Sequence, residues 1–157
     1  MINDLAIETY GLTKTFGLMT AVESLDLAVP RGSIYGFLGP NGAGKTTTIK
    51  LLLGLNRPTA GEARVLGYDV TRQTVDILVR VGYVPETSAL YDYYKVQDIL
   101  RFCRDCYPSW DQPLVDRYLE LFQLPRKQKV GNLSKGMKNQ LALGGGPGGQ
   151  AGAVDSG

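Results

Sequence analysis

Apolar and polar residues come close to alternating over two stretches near the start of the chain, residues 2–9 and 22–29. A period of two places the apolar side chains on one face of an extended segment. Both stretches are therefore predicted to be strands of a small antiparallel sheet. The polar stretch between them, residues 12–17, is expected to be a loop that carries one aromatic residue, Phe16.

Three further segments have the character of strands. Residues 33–38 and 81–85 are short and mostly apolar, which is typical of buried strands. The first follows a Pro-Arg-Gly turn, and the second ends at Glu86, where a loop is expected to begin. Residues 62–66 are predicted to form another short strand ahead of a turn.

Apolar residues at helical spacing follow each group of strands. They predict a helix over residues 45–55, closed by Gly54 and Pro58, and a helical region over residues 90–129. Asp111 is a suitable N-cap within this region. The apolar faces predicted for its two helices consist of Val96, Ile99, Leu100 and Cys103, and of Leu114, Val115, Tyr118, Leu119 and Phe122. Strands mixed with helices in this way predict an α/β fold.

Size and charge limit what the chain can be. Its 157 residues are enough for one domain with a buried core, and a formal charge of +2 gives no basic field that would favour nucleic acid. No apolar run approaches the roughly 18 residues of a membrane span, and no charged-then-apolar leader opens the chain. We expect a soluble, cytoplasmic protein that touches a membrane only through a partner.

The two cysteines, Cys103 and Cys106, form a C-x-x-C pair in a chain without histidine. A four-ligand zinc site cannot be completed with the usual soft ligands. A redox pair remains open, although the strand-then-helix setting of such motifs is lacking. The alternative, which we favour, is two buried thiols one helical turn apart.

The most informative stretch of the sequence is G-P-N-G-A-G-K-T, which matches the phosphate-binding pattern G-x-x-x-x-G-K-[ST] at every fixed position. Glycines let successive backbone N–H groups point at phosphate oxygens, and a helix N-terminus adds a positive dipole end. Lys45 would reach the β- and γ-phosphates, Thr46 would ligate Mg²⁺, and Thr47 would contact the α-phosphate. The alternative is a glycine-rich turn with an incidental lysine. The predicted nucleoside triphosphate site comprises Gly39, Pro40, Asn41, Gly42, Ala43, Gly44, Lys45, Thr46 and Thr47.

Beyond this motif, the chain resembles the ATP-binding subunit of ATP-binding-cassette (ABC) transporters of the drug- or polysaccharide-exporter type, over about Leu5 to Leu143. The resemblance implies that Phe16 stacks on adenine and that Val22 completes the adenine pocket. The alternative is that Phe16 is a residue of the core. It also places Glu86 where the family has a glutamine that helps to hold Mg²⁺. A carboxylate keeps the role of metal ligand, although a solvated acid at a strand end is the alternative.

The run Leu133–Met137, L-S-K-G-M, lies where the family has its signature L-S-G-G-Q. Ser134 and Gly136 match, and Lys135 and Met137 do not. In the family, this serine and glycine contact the γ-phosphate held by a second nucleotide-binding subunit in a head-to-tail dimer. A cluster of three aromatic residues lies where the family binds its transmembrane permease: Tyr91, Tyr93 and Tyr94. Packing in the core explains these residues nearly as well.

The resemblance implies a P-loop NTPase (RecA-like) core with an N-terminal antiparallel β subdomain and an α-helical insert at about 90–131. Residues 1–144 are interpreted as an incomplete nucleotide-binding domain, and the Gly-rich residues 145–157 as an out-of-frame tail. If one possible DNA sequence for residues 145–157 is read with a one-base shift, it encodes A-A-L-A-G-R-P-E-L-L-I-L. This peptide is similar to the segment that precedes the Walker B aspartate in the family. That aspartate, the catalytic glutamate and the switch histidine are absent from the sequence, so no catalytic residue is assigned.

These observations predict the ATP-binding component of an exporter, with ATP and Mg²⁺ as ligands. The protein would lie at the inner face of the cell membrane through its permease, and this chain would bind ATP without efficient hydrolysis. Two alternatives remain open. One is a soluble ABC ATPase that acts on ribosomes or DNA without a membrane partner, and the other is a non-functional gene fragment.

Overall fold

A computed structural model describes residues 4–84, 92–107 and 110–145 of the chain. The chain divides into two compact units, Met1–Leu78 and Val79–Gly157, called here the first and second unit. Each unit is described by itself. In the described part of the chain the longest helix has 11 residues, so none reaches the length of a membrane span.

A four-stranded antiparallel sheet forms the centre of the first unit, with strand order β2-β1-β3-β4. The strands are β1 (Leu5–Phe16), β2 (Met19–Pro30), β3 (Ala60–Val65) and β4 (Tyr68–Asp69). The antiparallel pair predicted from the alternating pattern is confirmed by β1 and β2. Strand β1 lies between β2 and β3, so both of its edges are hydrogen-bonded.

The predicted loop at residues 12–17 was wrong, because β1 continues as far as Phe16. The pairing register of β1 with β2 shifts between Thr9 and Leu12 and again between Lys14 and Thr15. Such bulges let a strand bend and twist without leaving its sheet. The Leu12 side chain is fully buried as a result.

Two short helices accompany this sheet. Helix α1 (Lys45–Leu52) packs against β2 and β3, and α2 (Thr74–Leu78) packs against β4. The helix predicted from residue 45 is therefore confirmed, and it ends three residues earlier than expected. The buried apolar side chains of the first unit are Leu12, Val22, Val29, Leu51, Leu53, Ala63, Val65, Val70 and Ile77.

Buried strands were predicted at residues 33–38 and 81–85. The structure describes residues 33–38 and 81–84, and neither segment forms a strand. In the described part of the chain no strand pairs with either run, and an extended segment needs a neighbouring strand to receive its hydrogen bonds. Ile34 and Leu38 are accordingly fully solvent-exposed, at 104% and 93%.

The second unit is helical and contains α3 (Val96–Cys106), α4 (Gln112–Leu121), a 3₁₀ turn (Val130–Asn132) and α5 (Lys135–Gly144). Asp111 caps α4 as predicted, since its carboxylate accepts a hydrogen bond of 2.9 Å from the Leu114 N–H. The core of this unit consists of Val96, Leu100, Val115, Leu119, Leu124, Val130, Leu133 and Leu141, with Ile99, Trp110, Tyr118, Phe122 and Met137 packed against it. Both predicted apolar faces therefore contribute to one core.

The prediction of two buried thiols is wrong for Cys106 and is met only in part by Cys103. Cys103 is partly buried and Cys106 is exposed, and neither forms a disulfide. At 3.6 residues per turn, Cys106 lies about a quarter turn away from the line through Val96, Leu100 and Cys103. Burial, with a smaller contribution from Cys106, raises the pKa of the Cys103 thiol, which disfavours the reactive thiolate.

Replacement of Leu119 by Ala should destabilise the second unit by about 2–5 kcal/mol, because it removes a core side chain and leaves a cavity. The matched control is Leu121→Ala, on the same helix. Leu119 is 5% exposed and Leu121 is 74% exposed, so the control should change stability by less than about 0.5 kcal/mol. Urea unfolding followed by the fluorescence of Trp110, the single tryptophan, measures both. Equal losses would contradict this packing.

Ser134 is the N-cap of α5, and its hydroxyl accepts a hydrogen bond of 3.2 Å from the Met137 N–H. Replacement by Ala should therefore cost about 1 kcal/mol of unfolding free energy in the same assay. Ser134→Asn keeps a capping acceptor and should retain most of that stability. A loss in the Asn variant as large as in the Ala variant would show that capping is not the reason.

Candidate functional site

The phosphate-binding motif forms the turn before α1. Gly42 and Gly44 have φ angles of +86° and +80°, a left-handed conformation that glycine adopts without strain. Gly44 is constrained a second time, because a Cβ atom there would overlap the Ala21 carbonyl and approach Val22 Cγ2 to 3.3 Å. The motif thus lies directly against strand β2. Contact with the Ala21 carbonyl was not foreseen from the sequence.

Four backbone N–H groups are available at the start of α1. Within the described residues, the N–H groups of Gly44, Lys45, Thr46 and Thr47 donate no hydrogen bond, whereas the Thr48 N–H donates to the Gly44 carbonyl at 2.8 Å. The first turn of α1 contains no acidic residue. Unpaired N–H groups together with the positive end of the helix dipole favour an anion such as a phosphate group.

Lys45 brings a positive charge to the same turn. Its ammonium group donates hydrogen bonds to the carbonyl oxygens of Gly39 and Pro40, at 2.6 and 2.7 Å. These two carbonyls hold the side chain over the motif rather than letting it extend into solvent. An ammonium group has three protons, so one remains for a phosphate oxygen while both carbonyl contacts persist.

Three consecutive threonines at the start of α1 differ in what their hydroxyl groups do. The Thr48 side chain is buried and donates to the Gly44 carbonyl at 3.0 Å, so it serves the fold. The Thr46 and Thr47 side chains make no hydrogen bond to the described residues. Thr46 is exposed, and a free hydroxyl oxygen is a suitable ligand for a hard cation such as Mg²⁺.

The two residues predicted to hold the base lie on the strands beside the motif. Phe16 ends β1 and is 45% exposed, whereas Val22 is buried in β2 and faces Gly44. One neighbour of the ring was missed by sequence analysis: the Lys14 ammonium group lies 4.9 Å from the centroid of Phe16. A lysine two residues before an aromatic residue predicts this contact only in a strand, where the two side chains lie on the same face. The contact was missed because residues 12–17 were predicted to be a loop.

The remaining predicted residues belong to the second unit. Ser134 and Gly136 lie at the N-terminus of α5, as the resemblance implies for the signature. Capping uses only an acceptor function of the Ser134 hydroxyl, whose proton can still be donated to a phosphate oxygen. Both residues are exposed.

Glu86 and Tyr91 lie outside the described residues. The two neighbouring aromatics of the predicted permease surface, Tyr93 and Tyr94, are 64% and 43% exposed, with ring centroids 4.6 Å apart. Exposure favours an interface over the alternative of core packing. Over residues 4–84, 92–107 and 110–145, no three Cys, Asp or Glu side chains are grouped so that they could hold a metal ion. Of the two predicted Mg²⁺ ligands, the structure therefore describes only Thr46.

Several known proteins are similar in sequence to this chain. Residues 22–145 match the ABC transporter family. The chain is 37% identical over 139 residues to the bacitracin transport ATP-binding protein BcrA of Bacillus licheniformis, covering 87% of this chain and 45% of that protein. It is 41% identical over 142 residues to the Nod factor export ATP-binding protein I of Burkholderia lata, covering 87% and 47%. The chain thus spans about half the length of these relatives.

Among solved structures, an ATP-binding subunit of an ABC transporter superposes with a TM-score of 0.79 at 27% identity, covering 90% of this chain and 61% of that one. This similarity confirms the predicted fold class, a P-loop NTPase fold with an N-terminal antiparallel sheet, even though the strand predicted at residues 33–38 is absent. The chain therefore belongs to the ABC transporter family.

Proposed function

We propose that this chain binds ATP with Mg²⁺ through residues 39–47 and serves as the ATP-binding component of an exporter. The observation that carries the proposal is a group of four N–H donors at the start of α1, beside the Lys45 ammonium group, that donate no hydrogen bond to any described residue. Together they supply partial and full positive charge where a triphosphate needs it.

Each residue of the site has a role in this proposal. The N–H groups of Gly44 to Thr47 bind phosphate oxygens, and Lys45 contacts the β- and γ-phosphates. Thr46 ligates Mg²⁺, which Glu86 also holds, and Thr47 donates to the α-phosphate. The metal ion would neutralise charge on the phosphates. At the other end of the nucleotide, Phe16 stacks on the base and Val22 provides apolar contact.

A second copy of the subunit would complete the site. The N-terminus of α5, with Ser134 and Gly136, offers a hydroxyl proton and a close backbone approach to the γ-phosphate bound by the other copy. The exposed pair Tyr93 and Tyr94 would contact a transmembrane permease, which places the protein at the inner face of the membrane. Relatives named for bacitracin transport and for Nod factor export favour export as the coupled process.

We further propose that the 157-residue chain binds ATP without efficient hydrolysis. Hydrolysis depends on a group that orients and activates the attacking water, and such a group contributes roughly 100- to 10,000-fold. No residue between Met1 and Gly157 is assigned this role. Residues 145–157 are proposed to be an out-of-frame tail.

Replacement of Lys45 by Met should weaken Mg·ATP binding at least about tenfold, since a hydrogen bond to a charged group contributes roughly 1.5–3 kcal/mol. Lys50→Met is the matched control, because Lys50 lies in the last turn of the same helix and is exposed. Its affinity should stay within about twofold of the unchanged chain. Isothermal titration calorimetry on the folded chain measures both. Similar affinity in the unchanged chain and in Lys45→Met would contradict the phosphate site.

Phosphate release by the purified 157-residue chain should be at least about a hundredfold slower than by an intact relative such as BcrA assayed alongside it. The concentration of ATP is set above the dissociation constant measured by calorimetry, so that weak binding does not mimic slow chemistry. Turnover equal to that of the relative would show that the chain holds a water-activating group after all.

A further inference from the structure

We propose that Lys14 is a positioning residue for the nucleobase: its ammonium group covers one face of Phe16 and thereby presents the opposite face for stacking. This inference rests on the proposed function, because it specifies how the base end of the same site is built. Neither the phosphate-binding pattern nor the family signature includes Lys14.

The first observation is the distance between the cation and the ring. Lys14 Nζ lies 4.9 Å from the centroid of Phe16, within the roughly 6 Å over which a cation is attracted to an aromatic face. Lys14 and Phe16 are two residues apart in β1, so their side chains leave the strand on the same side. The contact therefore follows from the strand geometry of this segment.

The second observation is that the ammonium group is held in place from the far side. Lys14 Nζ donates a hydrogen bond of 2.7 Å to the Arg57 carbonyl. The segment around Arg57 is itself fixed to β1, because the Thr59 N–H donates to the Thr13 carbonyl at 2.8 Å and the Thr15 N–H donates to Thr59 Oγ1 at 3.0 Å. The position of the cation is thus set by the Arg57 carbonyl on one side and the Phe16 ring on the other.

The third observation relates this arrangement to the phosphate motif. Lys14 pairs across the sheet with Val22, and Val22 lies against Gly44 at the start of α1. Phe16, at 45% exposure, keeps ring surface that no residue of the first unit covers within the described range. One face of the ring is directed at the ammonium group, and the proposal places the base on the other face.

Two physical effects follow from this arrangement. A ring held in one orientation loses less conformational freedom when the base binds, which strengthens binding without any new contact. In addition, the cation withdraws electron density toward itself, which alters the face that the base meets. Both effects act on the base and not on the phosphates, because the Lys14 ammonium group is directed at Phe16 and the Arg57 carbonyl.

The test compares two probes, Mg·ATP and Mg·tripolyphosphate, by calorimetry on the full chain. Replacement of Lys14 by Met should weaken Mg·ATP about two- to fivefold, the effect expected of one exposed cation–π contact, and leave Mg·tripolyphosphate unchanged. Lys14→Arg keeps a cation and should bind ATP like the unchanged chain. Lys14→Gln keeps a donor for Arg57 without the charge and should behave like the Met variant.

A double-variant cycle tests whether Lys14 acts through the ring. Phe16→Ala should weaken ATP binding, and adding Lys14→Met to it should cause no further loss. Additive losses would overturn the proposal, because Lys14 would then act without Phe16. Equal losses for both probes would also overturn it, since Lys14 would then be a phosphate ligand.

Two further outcomes separate this inference from the proposed function. If the unchanged chain binds Mg·ATP and the Lys14 variants bind it equally well, only the positioning role fails. If the unchanged chain binds neither probe, the nucleotide site itself fails, and this inference fails with it. The contact can also be tested without ligand by NMR. The ring current of Phe16 should shift the Lys14 Cε protons upfield, and Phe16→Ala should remove that shift. An unshifted resonance would overturn the contact.

Discussion

The contact between Gly44 and the main chain of β2 is the constraint that builds the proposed site. Gly44 has a left-handed φ, and its α-carbon lies so close to the Ala21 carbonyl that no side chain fits between them. A larger residue would have to shift either the start of α1 or strand β2. Because neither moves freely, the phosphate motif is held at one point of the sheet, and the N–H groups at the start of α1 have a defined direction.

The same sheet supplies the other end of the site. Strand β1 pairs with β2 as far as Phe16 and with β3 as far as Thr13. Lys14 and Phe16 lie at the end of β1, and Val22 lies on β2. A paired strand cannot rotate its side chains without breaking its ladder. The base end of the proposed site therefore lies on the same sheet that contacts the phosphate motif. Functional residues on a paired strand and at a helix start are held more firmly than residues on a free loop.

Sequence reasoning failed at three places for one reason. It read residues 33–38 and 81–85 as strands and residues 12–17 as a loop, because it judged each segment by its own apolar content. The structure pairs residues 12–16 with β2 and, as far as Thr13, also with β3, whereas no strand among the described residues pairs with 33–38. Whether a segment becomes a strand depends on a partner strand elsewhere in the chain, and the sequence of the segment does not identify that partner.

The sequence by itself determined the features that depend on neighbours a few residues away. These are the glycine turn before α1, the Asp111 cap and the apolar helix faces, all set by local backbone geometry and helical period. Only the tertiary structure decided that Gly44 meets Ala21 and that Lys14 covers Phe16. Each of these depends on which segments the folded chain brings together, and packing across the chain, not local spacing, sets that.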